Sequence, residues 1–426
     1  MKFLNLKTLT VVPVLTLLAG TLVAQTPPAA PNGQAPQRQG QAQPTKKEIA
    51  IMEAALKYNQ DPKSTLYQTH DPELIKQGDV YYLFPTGGNV SSSTDLINWK
   101  FAYNVFDKSP DWITPDITGS NGRGGGALAG GGNGRGGFGA PPSGTSTTPG
   151  AAGAPPSGAA APRGGRIAAP DVQLVNGTYY LYYDVTSFAK NSSAIGVATN
   201  QTLDPASPDF KWVDRGMVVQ SVPNRDMWNA LDPNLVMDRN QGWLVMGSFW
   251  GGIKMVKLAP DLLTVAKPEV WYSIASQPRT YGLDDTDPGD GTIEGAFVYK
   301  HFQYFYLFVS LDYCCRGIDS DYKVVVGRSR NVEGPYVDRE GKLMSRGGGT
   351  LVSKGNADWS GVGHNSAYTM DGKSIIVMHG YDRRDSGRSK LIIREMKWDR
   401  GDWPSIDLSP AQNTDPKIPN EVKVSH

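Results

Sequence analysis

The chain has 426 residues, 42 Lys+Arg against 41 Asp+Glu, a formal net charge of +1 and two cysteines. That length accommodates one large or two ordinary domains with a substantial core. The balanced charge, with no block of one sign, argues against a nucleic-acid or polyanion partner. Aromatic residues make up 10%, including 19 Tyr and 10 Trp, which suits β structure and sugar-stacking surfaces alike.

In chain order, residues 1–24 read as a secretory signal: Lys2 and Lys7 supply charge, residues 11–19 are apolar, and small residues precede Gln25. The apolar run is short and carries Pro13, and no Cys follows it, so neither a membrane nor a lipid anchor is expected. No later stretch approaches the about 18 apolar residues that span a bilayer. The expected product is a soluble monomer, secreted or periplasmic. Residues 25–45, rich in Pro, Gln, Ala and Gly, bury too little to offset chain entropy and read as a disordered linker. KKEIAIMEAALKY, residues 46–58, has helical apolar spacing and predicts one short helix, with a lead-in to residue 63. The folded domain is expected over residues 64–408, followed by a tail, 409–426.

Within that domain, residues 117–166 are almost wholly Gly, Ala, Pro, Ser, Thr and Asn with scattered Arg. Because β-rich pattern resumes on both sides, the tract reads as an insertion, which loop entropy tolerates. The only cysteines, Cys314-Cys315, are adjacent. A vicinal disulfide and two buried thiols are both compatible with that spacing. No further ligands stand at metal-site spacing in the sequence.

One pattern recurs five times: a polar head, a β-run, a short polar break and a second aromatic-rich run. The copies are HDPELIKQGDVYYLFPTG, PDVQLVNGTYYLYYDVTS, LDPNLVMDRNQGWLVMGSFWGG, IEGAFVYKHFQYFYLFVSLD and GHNSAYTMDGKSIIVMHGYD. Breaks at Gln77-Gly78-Asp79, Asn176-Gly177, Asn240-Gln241-Gly242 and Asp371-Gly372 carry hairpin chemistry, and the fourth, His301-Phe302-Gln303, carries less. Further β-rich segments follow each copy, enough for about four antiparallel strands per unit. With the insertion set aside the copies lie roughly 50–70 residues apart, near propeller-blade spacing. The fold class is therefore all-β, a five-bladed β-propeller, whose radial closure leaves few exposed edges. A stacked solenoid is the competing repeat fold, with shorter repeats and capping ends.

In a propeller the first strand of every blade lines the central channel. The heads Asp71, Asp171, Asp232, Glu294 and His364 are expected at one repeat position, converging at one end of that channel. Crowded carboxylates in a partly dry funnel repel one another, and at least one stays protonated near neutrality. A protonated acid facing an ionised carboxylate is the pair that glycoside hydrolysis requires. No Ser-His-Asp order or nucleotide-binding loop competes, and the Gly-rich tract lacks a strand–helix setting.

From His70 to about Pro404, excluding the insertion, the chain resembles the glycoside hydrolase family 43 arabinanases. The stretches that carry the resemblance include HDPELIKQGDVYY, APDVQLVNGTYYLYY, SSAIGVATN, NALDPNLV, GSFWGGIKM, IEGAF, YLFVSLDYCCRG, GVGH and HGYD. The likeness implies Asp71 as general base, Glu294 as general acid, and Asp171 as the carboxylate that orients the acid and modulates its pKa. It implies inversion by a single displacement, which asks for carboxyls about 6.5–9.5 Å apart. It implies His364 beside a calcium ion held largely through waters, an unusual partner for a hard cation; a satisfied core histidine is the alternative. Substrate contacts are expected at Phe188, Asn229, Asp232 and Trp250, with Trp112 as a stacking platform.

Two positions depart from the family pattern: Ala169 stands where Trp is usual, and Ala296 where Pro is usual. GSFWGGIKM, CCRG and NALDPN point to internal cleavage of α-1,5-arabinan from plant cell walls. The rivals are an exo-acting arabinofuranosidase or β-xylosidase on the same fold, and a non-catalytic carbohydrate-binding propeller.

Overall fold

The computed structural model describes residues 43–114, 117, 167–186 and 190–410. The expected signal segment, nearly all of the linker, the insertion and the tail, and Phe188 lie outside the described residues. Helix α1, Lys46–Gln60, opens on a capping box in which the Thr45 hydroxyl accepts the Glu48 N–H and the Glu48 carboxylate accepts the Thr45 N–H. Among the described residues no helix is long and apolar enough to cross a membrane.

All but the last two strands fall into five antiparallel sheets in sequence order, and the last two form a sixth. Blade 1 is β1 (Glu73–Gln77), β2 (Val80–Phe84), β3 (Asn89–Ser93) and β4 (Lys100–Asn104). Blade 2 is β5 (Ala168–Val175), β6 (Thr178–Thr186), β7 (Ser193–Asn200) and β8 (Val213–Ser221). Blade 3 is β9 (Asn234–Asp238), β10 (Gln241–Met246), β11 (Ile253–Lys257) and β12 (Trp271–Ala275). Blade 4 is β13 (Ile293–His301), β14 (Tyr304–Leu311), β15 (Lys323–Ser329) and β16 (Thr350–Lys354). Blade 5 is β17 (Trp359–Met370), β18 (Lys373–Asp382) and β19 (Arg388–Glu395), and a short pair, β20 (Lys397–Trp398) and β21 (Pro404–Ser405), follows.

The first strands touch in a closed cycle, β1 to β5 to β9 to β13 to β17 and back to β1. Each seam between neighbouring blades holds its own apolar cluster, five in all. Strand alternation explains how one sheet serves two seams. On β14, Phe305, Leu307 and Val309 face blade 3, whereas Tyr306 and Phe308 face blade 5. With both faces covered, β14 reads as an almost unbroken apolar run.

Blade 5 has three strands of its own rather than four. Its outer edge is completed from the other end of the domain: Gln68 bridges Lys390, and the Leu391 N–H donates to the Tyr67 carbonyl at 2.7 Å. Helix α1 lies over the same seam, burying Met52 and Ala55 against Leu74, Ile375 and Ile393. Asn59 Oδ1 accepts the Ile393 N–H at 3.1 Å, so the edge of β19 is not left open. At Asn176-Gly177 and Asp371-Gly372 both turn residues have positive φ, the two-residue hairpin that these pairs favour.

Candidate active site

Strand pairing establishes which residues are equivalent in the five blades. His70 with Thr86, Ala168 with Asp184, Leu231 with Gly247, Glu294 with Ser310 and Gly363 with His379 are the corresponding rungs. The next residue of each blade is left-handed: Asp71 (φ 49°), Ala169 (37°), Asp232 (55°), Gly295 (58°) and His364 (49°). Pairing resumes one residue beyond the next, at Glu73, Asp171, Asn234, Phe297 and Ser366. Such bulges re-aim side chains, and left-handed non-glycine residues concentrate at functional sites.

This register corrects the expectation that five polar heads share one repeat position. Asp71, Asp232 and His364 do share it. Glu294 stands one residue before it. Asp171 stands two after it, at the place of Glu73 and Asn234. Asp71-Pro72 and Pro170-Asp171 look alike in sequence, yet the proline follows the acid in one and precedes it in the other. Two residues of strand place Asp171 roughly 6–7 Å deeper in the channel.

A belt of hydrogen bonds fixes the left-handed residues from blade to blade. Thr86 Oγ1 accepts the Ala169 N–H (2.9 Å), Asp184 Oδ2 the Asp232 N–H (2.9 Å), and Ser310 Oγ the His364 N–H (2.8 Å). His379 Nδ1 accepts the Asp71 N–H at 3.2 Å and closes the circle. Gly247 has no side chain to offer, and there Asp232 Oδ2 takes the Gly295 N–H at 2.8 Å. A deeper layer ties the blades again. Asp171 accepts from Asn234 Nδ2 (3.0 Å) and the Leu235 N–H (2.8 Å), and Asn234 Oδ1 accepts the Val298 N–H (2.9 Å). Both Asp171 oxygens are thus engaged with blade 3, and burial pushes its carboxyl up to about 6 despite these donors.

Asp71 sits among three imidazoles. Its Oδ2 lies 2.8 Å from His70 Nδ1, outside hydrogen-bond geometry, and accepts the Thr86 hydroxyl at 2.6 Å. Its Oδ1 lies 3.1 Å from His364 Nδ1 and 3.5 Å from His379 Nδ1. Burial alone would raise the Asp71 carboxyl, but His364, His70 and His379 outweigh it and hold it well below the usual carboxylate range. Burial likewise lowers His364, and the carboxylates of Asp71, Asp232 and Glu294 reverse the sign and raise it.

On blade 4, Glu294 accepts from Ser248 Oγ through Oε2 and from Tyr322 OH through Oε1, each at 2.8 Å. Asp232 feels the charge of both Asp71 and Glu294. Burial, together with Glu294 and Asp71 and against His364, pushes Asp232 up to about 7. Burial and the Asp232 carboxylate also raise Asp184 well above the usual range. The left-handed residues and those just after them line a channel of about 290 Å³, part of it open to solvent.

The expected calcium partner was tested against these donors. A hard cation asks for six to eight oxygens, and among the described residues no three ligand atoms that include His364 converge within 4.8 Å. No cluster of His, Cys, Asp and Glu ligands therefore stands ready at His364 among the described residues.

Three expected sugar contacts lie outside the lining of the channel. Trp112 is half-buried in the seam of blades 1 and 2, 6.1 Å from the Tyr183 ring, with Nε1 donating to Asp214 at 3.3 Å. Trp250 is buried, its indole N–H donating to the Asp285 carbonyl at 2.9 Å. Asn229 is buried and contacts Ser221 Oγ and the Lys190 carbonyl at 3.4 Å each. Asp232 alone of that group lines the channel. Near Glu294 stand the half-buried Phe249, whose N–H donates to the Ile293 carbonyl at 2.8 Å, and Tyr313, 6.2 Å from its ring. The Arg316 guanidinium lies 3.9 Å over Tyr313.

Sequence reasoning missed His70, His379, Tyr322, Ser248 and Thr86. HGYD and HD contain the first two, but their partnership spans 308 positions between Asp71 and His379, beyond any local spacing.

Comparison with known proteins agrees with this architecture. The profile of "Glycosyl hydrolases family 43" matches residues 154–404. The chain is 42% identical over 344 residues, 79% of its length and 86% of the relative's, to the extracellular exo-α-(1→5)-L-arabinofuranosidase ArbA of Cellvibrio japonicus. It is 34% identical over 343 residues, 79% and 87% of the two chains, to the extracellular endo-α-(1→5)-L-arabinanase 1 of Bacillus subtilis. The α-L-arabinanase of Cellvibrio cellulosa, solved with arabinohexaose, superposes with a TM-score of 0.69 at 40% identity, covering 80% of this chain and 96% of that one. Fold, register and sequence converge: this chain belongs to glycosyl hydrolase family 43.

Proposed function

We propose that the protein hydrolyses α-1,5-L-arabinofuranosyl linkages of arabinan, outside the cytoplasm, by an inverting acid–base mechanism. One observation carries the reading: an acid held ionised beside three imidazoles, Asp71, and an acid clamped by two hydroxyls, Glu294, both act on the His364 imidazole at the central channel. Asp71, anionic at all working pH, takes a proton from the attacking water. Glu294, fixed by Ser248 and Tyr322, gives its proton to the departing sugar oxygen. The orienting and modulating role moves from Asp171 to Asp232, because Asp232 Oδ2 holds the N–H next to Glu294 while Asp171 is engaged with blade 3. In its ionised form Asp232 also favours the oxocarbenium-like transition state. Phe249, Tyr313 and Arg316 supply an apolar and cationic shelf for the furanose beside the acid. A calcium ion beside His364 belongs to this proposal only as an ion held through its water shell.

The test is the first product. Proton spectra recorded within the first turnovers on linear arabino-oligosaccharide should show the β-anomer released from the α-linkage, and Glu294→Gln should lower kcat at least about a thousandfold with oligosaccharide binding retained. A first product of retained configuration, or an unchanged kcat in Glu294→Gln, refutes the assignment.

Internal cleavage is the finer reading, from the GSFWGGIKM and CCRG stretches. The exo reading has its own support, since the relative at 42% identity carries an exo-acting name and the one at 34% an endo-acting name. Linear arabinan separates them: early loss of viscosity marks internal cleavage, and early free sugar marks release from an end.

A further inference from the structure

Beside the base lies a cysteine pair that hydrolysis does not use. Cys314 and Cys315 are joined by a disulfide on the loop between β14 and β15. Both sulfurs and a ring nitrogen of His70 lie within 4.8 Å of one another, and all three residues are half-buried, within reach of solvent. Cys315 Sγ is 3.7 Å from His70 Nε2, although 245 positions separate the two residues.

We infer that this trio is a redox-gated site for a soft divalent cation such as zinc or cadmium: closed while the disulfide stands, open once it is reduced. Other contacts than the sulfur bond hold the groups in place. The Cys315 N–H donates to Tyr381 OH at 2.7 Å, and the Arg316 N–H donates to Ser320 Oγ at 3.0 Å. His70 is stacked on His379 at 4.0 Å, with Nδ1 against Asp71 and Nε2 turned to Tyr381 OH at 3.0 Å. The Asp71 carboxylate lies 2.8 Å behind one imidazole nitrogen and the other nitrogen is 3.7 Å from Cys315 Sγ, so a small turn of the ring would complete the outer-shell hydrogen bond that orients a metal-binding histidine. Two thiolates and one imidazole with a fourth position open to water suit tetrahedral zinc or cadmium, and are too soft for calcium.

The chemistry balances. A dithiol reductant gives two electrons to the disulfide and closes to its own disulfide, and its two protons go to Cys314 Sγ and Cys315 Sγ. The cation then displaces both thiol protons and occupies His70 Nε2 in place of the Tyr381 contact. Because His70 Nδ1 lies 2.8 Å from Asp71 Oδ2, a filled site fixes the imidazole that flanks the base.

Metal uptake tests the inference independently of the arabinan reading, because it needs no substrate. The full-length wild-type protein is split into an oxidised and a dithiol-reduced sample, freed of reductant and titrated with cadmium chloride. Bound metal and the ultraviolet thiolate-to-cadmium band are followed. The reduced sample should take up one cadmium per chain with the band, and the oxidised sample none. This pair compares one sequence with itself, so no substitution has to fold. Reduced His70→Gln should bind at least about tenfold more weakly, and Cys315→Ser should lose the band. Turnover of the reduced protein should fall at least about tenfold on cadmium addition and return with chelator. Equal uptake by the two wild-type samples, or full affinity in reduced His70→Gln, overturns the inference.

Discussion

Replacing Asp171 by Asn separates a carboxylate that ties blades from one that takes part in chemistry. Asp171 is held at about 6 in the fold against 3.8 for a free side chain. At 1.36 kcal/mol per unit this difference is roughly 3 kcal/mol. The sign follows from proton binding. A carboxyl raised in the native state binds protons more tightly there than in the unfolded chain, so stability is lost as pH rises from 3.8 to about 6 and the cost is fully present above it. The amide avoids that cost. It still accepts the Leu235 N–H but turns its own NH₂ towards the Asn234 donor, losing a bond worth about 1–2 kcal/mol. Asp171→Asn should therefore be less stable than wild type by about 1–2 kcal/mol at pH 4 and more stable by a similar amount at pH 8. For a domain of this size, whose unfolding entropy is about 0.7 kcal/mol/K, the Tm differences are about 2 °C downward and 2 °C upward. Scanning calorimetry at the two pH values reads the crossover. In the same variant kcat should stay within about tenfold, whereas Asp232→Asn should lose at least about a hundredfold. A Tm difference independent of pH would refute the buried-charge account, and collapse of kcat in folded Asp171→Asn would return the modulating role to Asp171.

Gly363→Ala should act on the acid from a distance: an added Cβ would lie 2.2 Å from Tyr322 Cδ1, and Tyr322 is one of the two clamps on Glu294. A kcat reduced at least about tenfold is expected alongside the overpacking cost of about 1–3 kcal/mol; unchanged kcat would remove Tyr322 from the clamp. Asn59→Ala should uncover the edge of β19 by leaving the buried Ile393 N–H without its acceptor, at about 1–3 kcal/mol. A Tm lowered by less than about 1 °C would show that α1 is not needed to seal that seam. If a water-held calcium sits beside His364, chelation should lower Tm in the wild type and not in His364→Gln, and equal responses of the two proteins would place any calcium elsewhere.

The repeat was legible because propeller blades bury both faces, so each second strand needs an apolar run and each hairpin a turn residue that tolerates positive φ. These are local demands, and Asn176-Gly177, Asp371-Gly372 and YLFVSL meet them in plain view. Asp71 and Glu294 could be singled out for the same reason, each heading such a run. The misplacement of Asp171 has an equally local origin: a bulge inserts between rung and strand, and the sequence does not say on which side of the proline the left-handed residue falls. Trp112 was expected as a platform because aromatic loops suit sugars, and Trp250 as a contact because of the family motif it sits on; the fold packs the first in a blade seam and buries the second against a loop carbonyl.

By itself the order of amino acids determined the blades, their number and the acids at their heads, since alternation, turns and capping act over a few neighbouring residues. Only the closed ring decided the rest. It chose which carboxylates meet, placed three imidazoles around Asp71, and brought His70 to a cysteine pair on the far side of the sequence. Burial and through-space charge set those outcomes, and both depend on contacts between residues hundreds of positions apart.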